Sequence, residues 1–162
     1  MTLIELVAVI AVVAILAVSA APTFQKMGAI RQSSGTARVA SDIRYARAMA
    51  AATRLRTWVA FNVGGQQYSL FIEDPANLGK ANRLAMVNPL TRASFVITMN
   101  TGELADVALV SVNFDTKTEV EFDNYGKPYD GDGNALAADG NVTLSGGRQV
   151  IVTETAGLVK AQ

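Results

Sequence analysis

The sequence predicts an α+β fold: a long N-terminal hydrophobic α-helix followed by an antiparallel β-sheet or β-sandwich head. Three observations predict it. Leu6 to Val18 is an unbroken apolar run within a stretch, 6–25, that carries no charged residue. Val39, Ile43, Ala46 and Ala50 then recur at i, i+4, i+7 and i+11, the stripe of an amphipathic helix. From Thr57 the apolar period drops from 3.6 to 2, in short runs punctuated by turn residues. The 162 residues suit one compact domain plus an appendage rather than two full domains. We divide them into an apolar helix over 1–25, an amphipathic helix packing on the head over 26–56, and a β-rich globular head over 57–162.

The first element has the length of a bilayer crossing, since twenty helical residues span about 30 Å. A removable signal peptide is the first alternative, and Ser19-Ala20-Ala21 could imitate its cleavage site. The basic n-region is missing, however, and the first charge is the acid Glu5. A core helix of a soluble domain is rarely this uniformly apolar. Pro22 lacks a backbone donor and crowds the carbonyl of Val18, at about 3 kcal/mol in a helix interior, so a kink or local unwinding is expected over 18–25. The helix then resumes, helped by the Ala-rich 46–52. Unbroken helix from Thr2 to Thr53 would be about 78 Å long, so its first half must be buried in something other than the head.

Strands are expected at 57–63 and 67–72, flanking a Gly64-Gly65 hairpin turn, and at 94–99, 107–114, 118–122, 141–145, 149–154 and 157–160. The mixed segment 73–92, with Pro75 and Pro89, reads as a long connection. Tyr45, Trp58, Phe61, Tyr68 and Phe71 cluster at the helix-to-sheet junction, where core packing explains them without a ligand.

The chain carries 14 Lys+Arg against 14 Asp+Glu and neither His nor Cys. Serine–histidine triads, zinc hydrolases and thiolate chemistry are thereby excluded. Carboxylate or serine–lysine catalysis finds no convergent set of residues, and the chain is expected not to be an enzyme. The zero balance hides an asymmetry. Segment 26–56 has seven basic residues and one acid, or +6, whereas 57–162 has seven basic and twelve acidic residues, or −5. Basic residues just beyond a membrane span mark the cytoplasmic side, which by itself would leave the head in the cytoplasm.

Glu5 stands directly before the apolar run, where a carboxylate needs a partner or an interfacial position. Thr2-x-x-Glu5 fits a capping box at the helix start. Alternatively, in a staggered bundle of such helices, Glu5 of one chain could pair with the free α-amino group of its neighbour. That pair would fix register, because a slip leaves a buried unpaired charge.

Thr2, Leu3, Ile4, Glu5, Leu6 and Pro22 resemble the N-terminus of type IV pilins and of the pseudopilins of type II secretion, whose signature is a processed G-FTLIEL segment with a proline near position 22. Segments 42–61 and 122–128 and the TAGLVK ending at 155–160 resemble the GspH/FimT-like branch. The resemblance implies the pilin fold and a structural subunit of a type IV pilus or type II secretion pseudopilus. Met1, standing where the family has Phe, would be exposed by a prepilin peptidase and N-methylated, unless it is an initiator Met. Glu5 would neutralise a neighbouring amino terminus during assembly. The first segment would be a transmembrane helix in the bacterial inner membrane, with the head periplasmic, and later the filament core. A cytoplasmic basic leader would settle the topology conflict. Partners would be copies of the chain or other pilins, an assembly platform and a motor. The alternative is a low-copy tip pilin that binds DNA or a secreted substrate.

Asp130, Asp132 and Asn134 alternate as at the start of a calcium loop, but Ala135 and Asn141 stand where an EF-hand needs Gly and Glu, and a solvated turn is the preferred reading. No other cofactor is expected. The arginines at 31, 38, 44, 47, 54 and 56 could touch DNA phosphates, though a solvated helix face or contact with the acidic head of an adjacent subunit is preferred.

Overall fold

The computed structural model describes residues 2–162, the side chains of 15–26 excepted. One helix, α1 (Leu3–Thr53), precedes ten strands. It ends at Arg54, which takes a left-handed conformation (φ 61°) while its N–H caps the Ala50 carbonyl. At about 1.5 Å per residue the helix is about 76 Å long, so only part of it can lie on the head. Burial begins at Gly35, and the predicted stripe is the docked face: Val39, Ile43, Ala46 and Ala50 are wholly buried. Gly35 is there because a Cβ would come within 2.6 Å of Val107. The helix runs unbroken through 18–25, so the local unwinding expected at Pro22 does not occur.

The head is two antiparallel sheets. The first contains β1 (Thr57–Asn62), β2 (Gln67–Ile72), β3 (Leu84–Ala85), β4 (Val96–Thr98), β6 (Glu119–Phe122) and β7 (Pro128–Asp130). Its order is β3-β2-β1-β6-β7, with β4 also on the outer edge of β2. The second runs β10-β9-β8-β5 and comprises β5 (Leu109–Asn113), β8 (Gly140–Leu144), β9 (Gln149–Val152) and β10 (Val159–Ala161). Helix α1 packs on strands of both sheets, closing one core with Leu70, Phe114, Val120, Phe122, Val142 and Val150. The eight predicted strand segments all contain strands; β3 and β7 are additions. β3 is two residues within the predicted connection, and β7 begins on Pro128, which an edge strand tolerates.

The Gly64-Gly65 hairpin forms, closing on the pair Asn62↔Gln67. Its positive φ falls on Gln66 (50°) rather than on a glycine. A Cβ at Gly65 would lie 2.7 Å from Asn62 Nδ2, so a larger residue there would displace the Asn62 side chain that accepts the Gly65 N–H.

The junction aromatics do not form one cluster. Phe61 and Tyr68, cross-strand partners, face the helix and join the core. Trp58 and Phe71, the next pair out of phase, lie on the opposite face. There Trp58 is wholly buried under a charged layer: Arg56 and Arg83 sit over its ring at 5.6 and 5.9 Å, and its indole N–H donates to Glu121 at 2.7 Å. Arg56 donates to Glu73 at 2.6 and 3.0 Å.

The two buried glutamates respond oppositely to acid. Burial alone would push Glu73 up, but hydrogen bonds from Arg56 and the Gly79 N–H outweigh it and hold its carboxyl below the ordinary range. Glu121 is pushed above its ordinary value by burial, despite the Trp58 and Arg56 donors. A depressed folded pKa gives stability that is present above the unfolded value, about 4.3, and is lost as pH falls through the folded one; a raised pKa has the reverse sign. Glu73→Gln is therefore expected to flatten the loss of stability on acidification below about pH 4.3. Glu121→Gln is expected to abolish a gain in stability that the wild type makes on acidification from the raised folded value down to about pH 4.3. Urea titrations followed by circular dichroism across pH 3–6 measure both slopes.

Candidate assembly site

The described N-terminal part of α1 touches nothing in the head. Leu3 and Ile4 are about four-fifths exposed, and Leu6, Val7, Val9, Ile10, Val12 and Val13 are each about half exposed. No face of this segment is polar apart from its first turn. Glu5 lies on one side with Ala8, Val9, Val12 and Val13, the i, i+3, i+4, i+7, i+8 spacing of a single helix face.

The capping box at Thr2 and Glu5 forms. The Glu5 carboxylate accepts the Thr2 N–H through Oε2 at 3.3 Å, a bond that ties up one oxygen of a fully exposed acid. Capping and pairing are thus compatible in geometry: the helix start orients the carboxylate, and Oε1 is left for a second donor. Met1 lies outside the described residues, and Pro22 is described by its helical backbone alone. Among the described residues no helix is long and apolar enough to cross a membrane. The transmembrane expectation is corrected to that extent.

The arginines meet the sequence reading only in part. Arg31, Arg44 and Arg54 remain exposed, but five of the six bind their own head. Arg31 pairs with Asp106 at 3.0 Å. Arg44 donates twice to the Val159 carbonyl, at 2.7 and 3.2 Å, and Arg47 to that of Gly126 at 3.0 Å. Arg54 reaches the Asn124 carbonyl at 3.3 Å and stacks on Tyr125, while Arg56 holds Glu73. Arg38 pairs with Asp42 one turn on, at 3.0 Å. Segment 26–56 and the acidic head are charge-complementary within one chain.

Sequence reasoning missed Asp42. It is buried on α1 and accepts both Arg38 Nε and the Tyr68 hydroxyl, the latter at 2.7 Å. Burial and the Asp42 carboxylate push the Tyr68 hydroxyl far above its ordinary value, so it stays a donor. The available signal was a lone acid on the apolar stripe, one residue before Ile43.

Asp130, Asp132 and Asn134 fold as a turn. Asp130 Oδ1 accepts the N–H groups of Asp132 and Asn134, at 2.9 and 2.8 Å, and Asp132 pairs with Lys117. Among the described residues no group of three or more acids is placed to hold a metal ion.

No protein-family model matches the chain, and no curated protein matches it. Solved structures do. The minor pseudopilin EpsH from the type 2 secretion system of Vibrio cholerae matches with a TM-score of 0.58 at 8% identity, covering 81% of this chain and 94% of that one. The type IV minor pilin FimU of Pseudomonas aeruginosa matches at 0.48 and 13% identity, covering 81% and 87%. A helix-backed pair of antiparallel sheets is an α+β architecture shared with EpsH, and the fold of this chain is the pilin fold.

Proposed function

We propose that the chain is a non-enzymatic structural subunit of a type IV pilus or type II secretion pseudopilus, held in the filament by its N-terminal helix. One observation carries this reading: residues 3–14 are helical, apolar on every side below the first turn and free of the head. Such a rod must be covered by lipid or by other rods. The uncharged run continues in sequence to Gln25, long enough for the inner membrane before assembly, with the head in the periplasm. Exchange of lipid for neighbouring helices gains little apolar energy, so direction comes from close packing, from Glu5 meeting a neighbouring amino terminus, and from a platform and motor. A prepilin peptidase would expose Met1 for methylation. The likeness to a minor pseudopilin supports a low-copy position in the filament. Binding of DNA by the helix arginines is disfavoured, because five of the six already bond the head, leaving Arg38 alone with unengaged terminal amino groups among the described residues.

Mass spectrometry of filaments sheared from the producing cells tests the proposal. The expected result is a peptide beginning at Met1 with an N-methyl group, in the filament fraction. Recovery of the chain only as dispersed monomer, with an unmodified terminus, would overturn it.

A further inference from the structure

Sheet edges offer unpaired main-chain groups to other chains, and most are blocked here. β10 is closed by Arg44, which occupies the Val159 carbonyl. β5 is closed by the Gln66 side chain, whose amide donates to the Leu109 carbonyl at 2.9 Å and accepts the Leu109 N–H at 2.8 Å, and by an irregularity between Leu109 and Ser111. β7 is closed by a bridge from Tyr129 to Ala135 and by the Asp130 N–H bonding the Asn134 carbonyl at 2.8 Å. β4 is different.

Residues 95, 97 and 99 turn toward β2: Leu70 N–H bonds the Phe95 carbonyl, and Met99 N–H bonds that of Gln66. Val96 and Thr98 therefore turn outward. Val96 N–H is spent on the Ser94 carbonyl at 2.8 Å, and the Thr101 hydroxyl reaches the Thr98 carbonyl at 3.4 Å. What remains is the Val96 C=O and the Thr98 N–H, flanking Ile97. One residue of a parallel strand would satisfy both, through its own N–H and C=O.

These groups border a cleft of about 420 Å³ between β4 and α1, which continues past Arg38 into a second of about 350 Å³. From Ser34 to Tyr45 the helix wall runs about 16 Å, the span of about five extended residues. Arg38 stands where the clefts meet. Its Nε is bound to Asp42, and among the described residues its terminal amino groups have no hydrogen-bond partner. Glu103 lines the same cleft. Val159–Ala161 is held in the other sheet as β10 and does not occupy the cleft.

We propose that the β4 edge and this cleft dock an extended segment of about five residues from a partner protein, running parallel to β4 and carrying an acidic side chain that meets Arg38. A basic side chain on the same segment would meet Glu103. The proposal does not depend on filament assembly, and its test uses the dispersed full-length protein.

A library of random seven-residue peptides is displayed on phage and panned against the full chain in detergent micelles. The expected result is a consensus containing an acid, whose synthetic peptide binds. Thr98→Pro removes an outward N–H without touching the β2 ladder, and is expected to weaken binding by about tenfold or more. N-methylation of the bridging residue in the peptide is expected to do the same and leaves the protein unaltered. Arg38→Gln is expected to weaken the acidic peptide but not its amide analogue. Failure to enrich a consensus would overturn the proposal, as would binding indifferent to the peptide N-methyl group. Self-association lost in Thr98→Pro would overturn the assignment to a different protein and make the occupant a second copy.

Discussion

Trp58→Ala is expected to destabilise the head by about 3–5 kcal/mol, the range for truncating a large aromatic in a packed site. Trp58 is wholly buried although it stands on the sheet face away from the main core. It supports Arg56 and Arg83 above it and supplies the indole donor to Glu121. Its loss opens a cavity and also leaves a buried carboxylate one donor short, and both costs act in the same direction. Trp58→Phe separates them, because it keeps most of the ring but removes the N–H; about 1–3 kcal/mol is expected to remain. The urea midpoint followed by far-UV circular dichroism measures each variant. A loss below about 1 kcal/mol for the alanine would show that the charged layer does not depend on the ring beneath it.

Glu5→Val and Glu5→Ala are expected to leave membrane insertion intact and to abolish or sharply reduce incorporation into filaments. The structure adds a control. Either substitution also removes the carboxylate that accepts the Thr2 N–H, and loss of a cap costs about 0.5–2 kcal/mol. Glu5→Gln keeps an acceptor at that position, since glutamine serves in the capping box. If Glu5 only caps its own helix, the glutamine variant assembles normally. If the charge meets a neighbouring amino group in an apolar bundle, the glutamine variant fails with the others. Filament yield from the three variants, against the amount of each in the membrane fraction, decides between them.

The larger elements were legible because their periods are local. Val39, Ile43, Ala46 and Ala50 announce the docked helix face, and alternating runs announce eight strands. β3 and β7 were not legible, because two or three residues carry no period. The capping box was read from Thr2 and Glu5 alone and is present. The contacts of Arg44, Arg47 and Arg54 were not foreseen because their partners are main-chain oxygens, which no composition reveals. The two-faced division of the aromatics was available, since Trp58 and Phe61 are an odd number of residues apart on one strand. Grouping them by proximity in sequence lost that parity.

The grip of Arg44, Arg47 and Arg54 on carbonyl oxygens has a consequence for how such a molecule can vary. An acid at a contact point is lost by one substitution, whereas every residue type offers a carbonyl. Asn124 can therefore exchange its side chain while Arg54 keeps its hold on the carbonyl, whereas Gly126 (φ 80°) and the buried Val159 are tied to their residue types by backbone conformation and packing. At Asn124, diversification of the exterior and conservation of the joint are in that sense uncoupled.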